Sequence, residues 1–321
     1  MRRREFICLL GGAATAWPLA AQAQQTFRIG LLNSGADNFF AVPFVGKLEE
    51  LGYREGGNIL IDRKFAEGNA ERLEKFAADL VRAHVDVIVT IGTPAGFAAK
   101  RATSTIPIVF GAMSDPVGVG LVMSLARPGG NATGNSLMSP ELSAKRLEIL
   151  RALVPGISRF AILWDSSNPG MAQRVRETEI AADKSHVSLH TVGPRTVEEL
   201  DAAFAELLER RPDALLVTTE AFTRQHRARI LDFAKRNKIP AMFEDNSYVE
   251  AGGLMSYGPD YEEVFKTAAV LVSKILKGAK PADLPIEQPT KFQLFINLKS
   301  ANSLEIELSP NLLAMADRVI E

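Results

Sequence analysis

Short apolar runs rich in β-branched residues alternate along this chain with amphipathic stretches, and this alternation constrains the fold more than any other feature. The pattern is typical of βα units, in which parallel strands form a sheet and helices cover its faces. The predicted strands are 27–32, 59–65, 85–91, 106–110, 159–164, 187–192, 214–218 and 239–243. The predicted helices are 39–52, 70–83, 94–103, 141–153, 169–183, 197–210 and 223–236. Because the same rhythm occurs in both halves of the chain, we predict two similar α/β lobes.

Two glycine-rich segments mark the predicted connections between these lobes. Residues 127–137 (RPGGNATGNSL) and 252–260 (GGLMSYGPD) interrupt any helix, and the first is interpreted as a hinge strand. A helix over 261–277, a strand over 291–297 and a helical tail follow. Hinges of a few such residues let two rigid lobes close around a ligand.

Three crossings between the lobes follow from this order of elements. We predict an N-terminal lobe of residues 24–133 plus about 259–288. The C-terminal lobe is predicted to hold residues 134–258 plus about 289–321.

The first 23 residues, MRRREFICLLGGAATAWPLAAQA, have a basic start, an apolar middle and an end of small residues. This is the pattern of a cleavable export signal, so we expect cleavage before Gln24 and delivery to the periplasm. Arg3 and Arg4 match the twin-arginine pattern, and they also suit the basic start of an ordinary secretory signal. The alternative is an uncleaved anchor, but glycine and proline interrupt the apolar stretch, which is shorter than the roughly 20 residues of a membrane span.

Composition excludes several classes of function. The single cysteine, Cys8, lies in the predicted signal, so the mature chain has no disulfide and no thiol nucleophile. Without the signal the chain has 34 basic and 37 acidic residues, which is not the clustered positive charge of a nucleic-acid-binding protein. The histidines lack the i, i+4 spacing of a helical metal pair, and no glycine-rich nucleotide motif follows the first strand. We therefore expect no metal, no cofactor and no catalytic residues.

Small and polar residues follow the predicted strands of the first half, where open α/β sheets bind their ligands. Gly92, Thr93 and Pro94 end a buried strand and begin a helix, so free backbone N–H groups and the Thr93 hydroxyl could hold a carboxylate. The alternative is that Thr93 only caps its helix. Asp115 precedes a proline and is interpreted as a helix N-cap in preference to a ligand contact.

Four segments carry a resemblance to a known family. They are IGTPA (91–95), IPIVFGAMSDPVGVGLVMSLARPGGNATG (106–134), EAGGLMSYGPDYEE (250–263) and INLKSANSLEIELSPNLLAMADRVI (296–320). On these segments the chain resembles the ABC transporter substrate-binding proteins related to the tryptophan-binding type. The resemblance implies the type I periplasmic binding fold, with two Rossmann-like (flavodoxin-like) α/β lobes of parallel sheet joined by a three-crossing hinge.

The resemblance also implies a site for a ligand carboxylate between loops of the first lobe, formed by Thr93, Ala112 and Ser114. Across the cleft, a ligand ammonium would need a carboxylate, and Glu220, Glu244 and Asp245 all end predicted strands. We prefer Asp245, with Glu220 second, since the family places an acidic or polar residue at this strand end. The alternative for each acid is a helix cap.

Five further residues complete the candidate ligand site. Asn33 and Ser34 follow the first strand and could hydrogen-bond the ligand. Trp164 and Asn168 follow the fifth strand, where the indole could stack on an apolar ligand or pack into the core. Gly258 lies in the second predicted crossing and could line the cleft.

Together these features predict a receptor that is not an enzyme. It would capture a small carboxylate-bearing ligand, an amino acid with an aromatic or branched side chain or an aromatic acid, and close around it. It would then present the ligand to an ABC permease in the inner membrane, acting as a monomer with no nucleic-acid partner. The alternatives are a periplasmic sensory protein and, on the same fold, a periplasmic enzyme.

Overall fold

The computed structural model describes residues 26–36, 38–137 and 140–321, with the backbone alone at 140 and 141, and in it these residues form two sheets. The predicted export signal lies outside the described residues. The first sheet holds β1 (Phe27–Asn33), β2 (Ile59–Phe65), β3 (Val87–Ile91), β4 (Ile108–Met113) and β5 (Ala132–Ser136). Its strands are all parallel, in the order β2-β1-β3-β4-β5. Every residue of β3, β4 and β5 is buried, as expected for a parallel sheet covered on both faces.

The second sheet has the order β12-β11-β10-β9-β8-β6-β7. Its strands are β6 (Arg159–Leu163), β7 (Ser188–Val192), β8 (Ala214–Val217), β9 (Ala241–Phe243), β10 (Met255–Pro259), β11 (Phe292–Asn297) and β12 (Arg318–Ile320). β10 and β11 pair antiparallel, and the other neighbours pair in parallel. The two mostly parallel α/β sheets confirm the predicted fold class.

Helices connect the strands in the alternating order that the sequence predicts. They are α1 (Ala41–Glu50), α2 (Ala70–Arg82), α3 (Thr93–Ala102), α4 (Pro140–Leu153), α5 (Ala172–Lys184), α6 (Val197–Arg210), α7 (Ala221–Gln225), α8 (Arg227–Arg236), α9 (Asn246–Glu250), α10 (Tyr261–Leu276), α11 (Leu298–Ser303) and α12 (Pro310–Ala314). A short 3-10 helix, Pro281–Asp283, follows α10. Among the described residues, no helix combines the length and the apolar character that crossing a membrane requires.

The chain passes between the two sheets more than once. Helix α10 follows β10 of the second sheet but packs against α1 and β4 of the first, with Phe265 edge-on to the Phe39 ring at 5.2 Å. We call the first sheet with its helices, α10 included, the first lobe, and the second sheet with its helices the second lobe. The residue boundaries of the two lobes given above remain a prediction.

Both segments interpreted as crossings hold strands of the sheets themselves. The segment over 127–137 contains β5, the edge strand of the first sheet, whose small and polar residues are nevertheless buried. Burial is possible because the strand's polar side chains are bonded: Asn135 donates to Gly111 O (2.9 Å) and to Val264 O (3.0 Å). The segment over 252–260 contains β10, which lies inside the second sheet.

Three local predictions are wrong. The predicted helix 223–236 is two helices, α7 and α8, which meet at His226. The C-terminal tail is not wholly helical, because β12 pairs with β11. No helix begins after Asp115; its carboxylate accepts from Gly118 N at 2.8 Å and closes a turn instead.

Candidate functional site

A cavity of about 230 Å³ lies between the carboxyl ends of the strands of the two lobes. This is the position at which open α/β sheets bind their ligands. Nine of the twelve predicted ligand-binding residues line it: Asn33, Ser34, Gly92, Thr93, Pro94, Ala112, Ser114, Asn168 and Glu220. The other three, Trp164, Asp245 and Gly258, lie outside the lining.

The first-lobe wall is built from loops that bond to one another. The Ser34 hydroxyl accepts from Ala95 N at 3.1 Å, and the Thr93 hydroxyl accepts from Ser114 N at 3.5 Å. Pro94 has no N–H group, and the N–H group of Ala95 already donates to Ser34. Among the first three residues of α3, only Thr93 therefore has a backbone N–H group that could bind a ligand. The sequence predicted several free amides here. The wall instead presents one amide and the hydroxyl groups of Thr93 and Ser114 at the positive end of the α3 dipole.

Two carboxyl groups, Asp165 and Glu220, face the cavity from the second lobe. Glu220 Oε1 accepts from Asp165 N and from the Thr218 hydroxyl, both at 2.8 Å. Glu220 Oε2 and the hydroxyl of the neighbouring Thr219 are buried and have no hydrogen-bond partner among the described residues. Asp165 is not among the residues predicted from the sequence. It lies between two that are, Trp164 and Asn168, just after the end of β6, and its position there could have identified it.

Burial makes these two carboxyl groups hard to ionise. It raises the pKa of Glu220 to about 8, and the nearby charge of Asp165 adds to the effect. Burial also raises the pKa of Asp165, against the hydrogen bonds from Ser167. A cation placed beside the pair would reverse both shifts, so this wall of the cavity is suited to a positively charged group.

A buried cluster of three charged residues, Glu244, Arg146 and Arg174, lies next to the acid pair. Glu244 is 0% exposed, and its carboxylate contacts Arg146 at 2.9 Å and pairs with Arg174, which itself lines the cavity. The Thr219 amide donates to the same carboxylate at 3.0 Å, and Arg146 donates to Tyr257 O at 2.9 Å. Burial alone would raise the pKa of Glu244, but the two arginines outweigh it and lower that pKa. The charge of Glu244 is therefore already neutralised within the protein.

Asp245, the acid preferred from the sequence, is also already paired. Its carboxylate binds Arg224 Nη1 at 2.6 Å and accepts from Ser247 N at 2.8 Å, so it caps α9. The Arg224 guanidinium in turn lies over the Phe39 ring, 3.8 Å from its centroid. This contact joins the two lobes at one side of the cavity.

The remaining two predicted residues serve in packing. Trp164 packs against the core of the second lobe, with its indole next to Gly193. Gly258 lies in β10, where an added Cβ would overlap the carbonyl oxygen of Glu244. Glycine at 258 therefore permits close packing of the backbone.

Besides Arg195, Arg224 and several smaller residues, large apolar side chains form the rest of the cavity wall. They are Phe39, Leu73, Ile91, Leu137, Met171, Phe222 and Tyr261. Phe39 is fixed by edge-on contacts with Phe40 and Tyr261, at 5.9 and 6.2 Å between ring centroids. The cavity thus combines a hydroxyl-lined wall, an acidic wall and an aromatic surface.

The lobes touch directly at Gly170, which follows β6 in the second lobe. A Cβ at this position would lie 3.0 Å from Thr93 Cβ and 3.2 Å from Ser114 Cβ, and it would overlap the Thr93 hydroxyl. Both of those residues belong to the first lobe. The absence of a side chain at 170 therefore lets the lobes meet at the hydroxyl-lined wall.

Comparison with known proteins gives matches over most of the chain. A family model described as ABC transporter substrate binding protein matches residues 43–320. A tyrosine-binding protein of Clostridioides difficile (strain R20291) is 30% identical over 265 residues, which are 82% of this chain and 76% of that protein. The structure of an ABC domain from Streptococcus pneumonia in complex with L-Trp is 27% identical, with a TM-score of 0.86 over 92% of this chain and 100% of that one.

The ligand-free, open structure of a substrate binding protein with adhesive properties from Clostridium difficile is also 27% identical. It covers 92% of this chain and 99% of its own, yet its TM-score is 0.67. At equal identity and coverage, the present structure is thus more similar to the complex than to the open form. Together with the contact at Gly170, this indicates that the two lobes adopt a closed arrangement.

Proposed function

Because the chain belongs to the family of ABC transporter substrate-binding proteins, we propose that it captures an amino acid in the cavity between its lobes and delivers it to an ABC permease in the inner membrane. The observation that carries the proposal is the polarity of the cavity. Hydrogen-bond donors lie on the first-lobe wall, and an acid without a hydrogen-bond partner for one of its oxygens lies on the second-lobe wall.

The first-lobe wall is proposed to bind the ligand carboxylate. The hydroxyl groups of Thr93 and Ser114 and the Thr93 amide can donate hydrogen bonds to its two oxygens. Their position at the start of α3 adds the favourable potential of a helix N-terminus for an anion. The hydrogen bonds between side-chain hydroxyls and the backbone that join these loops fix the donors before the ligand arrives.

The second-lobe wall is proposed to bind the ligand ammonium. Glu220 Oε2 and the Thr219 hydroxyl are buried acceptors for which the described part of the chain provides no donor, an arrangement that costs free energy until a donor is supplied. An ammonium group supplies three donors and a charge that offsets that of the acids. This assignment replaces Asp245 with Glu220, assisted by Asp165.

The aromatic part of the lining supports an aromatic amino acid as the ligand. Phe39, Phe222 and Tyr261 offer ring surfaces against which a ligand ring could pack. The tyrosine-binding relative and the L-Trp complex accord with this choice.

We further propose that the protein works in the periplasm as a monomer without chemical turnover of its ligand. The basis for the periplasmic location is the signal-like sequence of residues 1–23, which would be cleaved before Gln24. Closure of the lobes is the proposed event that the permease recognises.

A thermal-shift screen with trimmed ligands tests the proposal. L-tyrosine and L-tryptophan are compared with their amides, which lack the carboxylate, and with their deaminated acids, which lack the ammonium. A true ligand at 100 times its dissociation constant should stabilise the protein by about 2.7 kcal/mol, and each trimmed compound should stabilise it less. If the complete amino acids give no shift, the proposal fails; if the deaminated acids match them, the ligand is a carboxylic acid without an amine.

Replacing Gly170 by alanine is expected to weaken ligand binding by preventing full closure. The added methyl group would collide with Thr93 and force the lobes apart or strain them, at a cost of about 1–3 kcal/mol. That corresponds to a roughly 5- to 150-fold rise in Kd, measured by calorimetry with L-tyrosine or L-tryptophan. Gly46→Ala is the matched control, because a Cβ at 46 meets no atom within 4 Å; equal affinities of the two variants would contradict closure at Gly170.

A further inference from the structure

Among the described residues, the buried acids and arginines around the cavity are unequal in number. The acids are Asp165, Glu220, Glu244 and Asp245, and the arginines are Arg146, Arg174 and Arg224. The arginines are all bound to two of these acids, since Glu244 holds two of them and Asp245 the third. Within the part of the chain that the structure describes, no ion pair is found for Asp165 or Glu220.

From this arrangement we propose that Glu220, next to Asp165, holds a proton while the cavity is empty, and that the ammonium of an incoming amino acid displaces it into solvent. The proposal rests on the proposed function, since it needs an amino acid as ligand. In the exchange the Glu220 carboxylic acid becomes a carboxylate, its proton passes to buffer, and the ligand ammonium takes its place without losing a proton of its own. One positive charge replaces another, so the net charge of the site is conserved.

The hydrogen bonds of Glu220 allow this exchange. Oε1 is held by the Asp165 amide and the Thr218 hydroxyl, so the carboxyl group keeps its position in either protonation state. Within residues 26–36, 38–137 and 140–321, Oε2 has no hydrogen-bond partner, and it belongs to a side chain that lines the cavity. The proton and the ammonium therefore compete for one oxygen atom at a fixed place.

The charged neighbours of Glu220 favour its neutral form in the absence of ligand. Asp165 from the end of β6 opposes a further negative charge, and Glu244 from the end of β9, although two arginines offset its charge, adds a smaller effect of the same sign. Arg174 on α5 is bound to Glu244, and Tyr248 on α9 is neutral because burial raises its pKa. On its own helix, Arg224 is bound to Asp245. Burial first, and the Asp165 charge second, bring the pKa of Glu220 to about 8.

The sign of the pH dependence follows from this raised pKa. Below about pH 8 the empty site is protonated, so the ligand must displace a proton and its affinity falls as pH decreases. Between pH 8 and pH 6 we expect Kd for an amino acid to rise by up to about tenfold per pH unit. A deaminated acid has no ammonium, so its affinity should not fall over this range.

Calorimetry in buffers of different ionisation enthalpy tests the proposal with L-tyrosine and L-tryptophan as probes. At pH 7 we expect close to one proton released per bound amino acid, and close to none for Glu220→Gln. Glu209→Gln, which neutralises an exposed carboxylate of the same lobe, is the matched control and should release as many protons as the original protein.

The outcomes separate this proposal from the proposed function. Tight binding of an amino acid with no proton release would overturn the exchange and leave the function intact, whereas absence of binding would overturn both. If Glu220→Gln does not fold or bind, the pH series on the unaltered protein decides: a Kd that is constant from pH 6 to pH 8 rejects the exchange, and a Kd that rises as pH falls supports it.

Discussion

Replacing Glu244 by glutamine is expected to lower the free energy of unfolding by about 3–5 kcal/mol, because it leaves two buried guanidinium groups without a charge partner. Both Arg146 and Arg174 are less than a tenth exposed, and Glu244 is their shared acid. The substituted amide could keep a hydrogen bond from the Thr219 N–H but could not offset either positive charge. Urea unfolding of the ligand-free protein at neutral pH measures the effect.

Glu250→Gln is the matched control for this prediction. The Glu250 carboxylate also binds an arginine, Arg318, at 3.2 Å, but the two side chains are 51% and 57% exposed. An exposed pair of this kind contributes about 0–1 kcal/mol, so the control should unfold at nearly the urea concentration of the unaltered protein. Equal stabilities of the two variants would contradict the prediction. They would mean that the positive charges of Arg146 and Arg174 are stabilised in another way, for example by water that reaches Arg174 from the cavity.

Replacing Glu220 by glutamine is expected to raise the Kd for an aromatic amino acid at pH 8 by roughly 30-fold or more, a loss of about 2 kcal/mol or above. The glutamine keeps the shape of the side chain and the bonds to Oε1 but removes the charge that would face the ammonium. The Kd for the deaminated acid should change little, because that ligand has no ammonium. The ratio of the two affinities, measured by calorimetry, reports the ammonium contact alone.

Asp245→Asn provides the contrast, because the sequence favoured this acid for the same role. In the structure the Asp245 carboxylate binds Arg224, and Asp245 is not part of the cavity lining. Its replacement can weaken the contact between the lobes and lower both affinities together, but their ratio should stay constant. If the ratio of the two affinities changed in Asp245→Asn and not in Glu220→Gln, Asp245 would be the residue that binds the ammonium.

The fold could be predicted from the sequence because its pattern is local. Buried parallel strands appear as short β-branched runs, and each is followed by an amphipathic helix within the same few dozen residues. The errors fall where burial depends on distant partners. The small, polar strand β5 resembles a loop until the bonds from Asn135 to Gly111 and Val264 are known.

The first-lobe half of the site was predictable for the same reason. Gly92, Thr93 and Pro94 stand between a strand and a helix, so their place at the sheet edge follows from their neighbours in the chain. The choice among the acids was not predictable in this way. Asp245 is neutralised by Arg224, 21 residues earlier, and Glu244 is neutralised by arginines on α4 and α5. Only the folded arrangement therefore shows that Glu220 and Asp165 are the buried acids with no ion pair among the described residues.

The contact at Gly170 limits how far the two lobes can close. Because backbone meets side chain across the cleft at this point, the protein itself would set the final angle between the lobes for any ligand that fits the cavity. Ligands of different bulk would then produce one and the same outer shape. A membrane partner that recognises the spacing of the lobes would then distinguish the ligand-bound protein from the empty one. Selectivity among solutes would depend only on the residues that line the cavity.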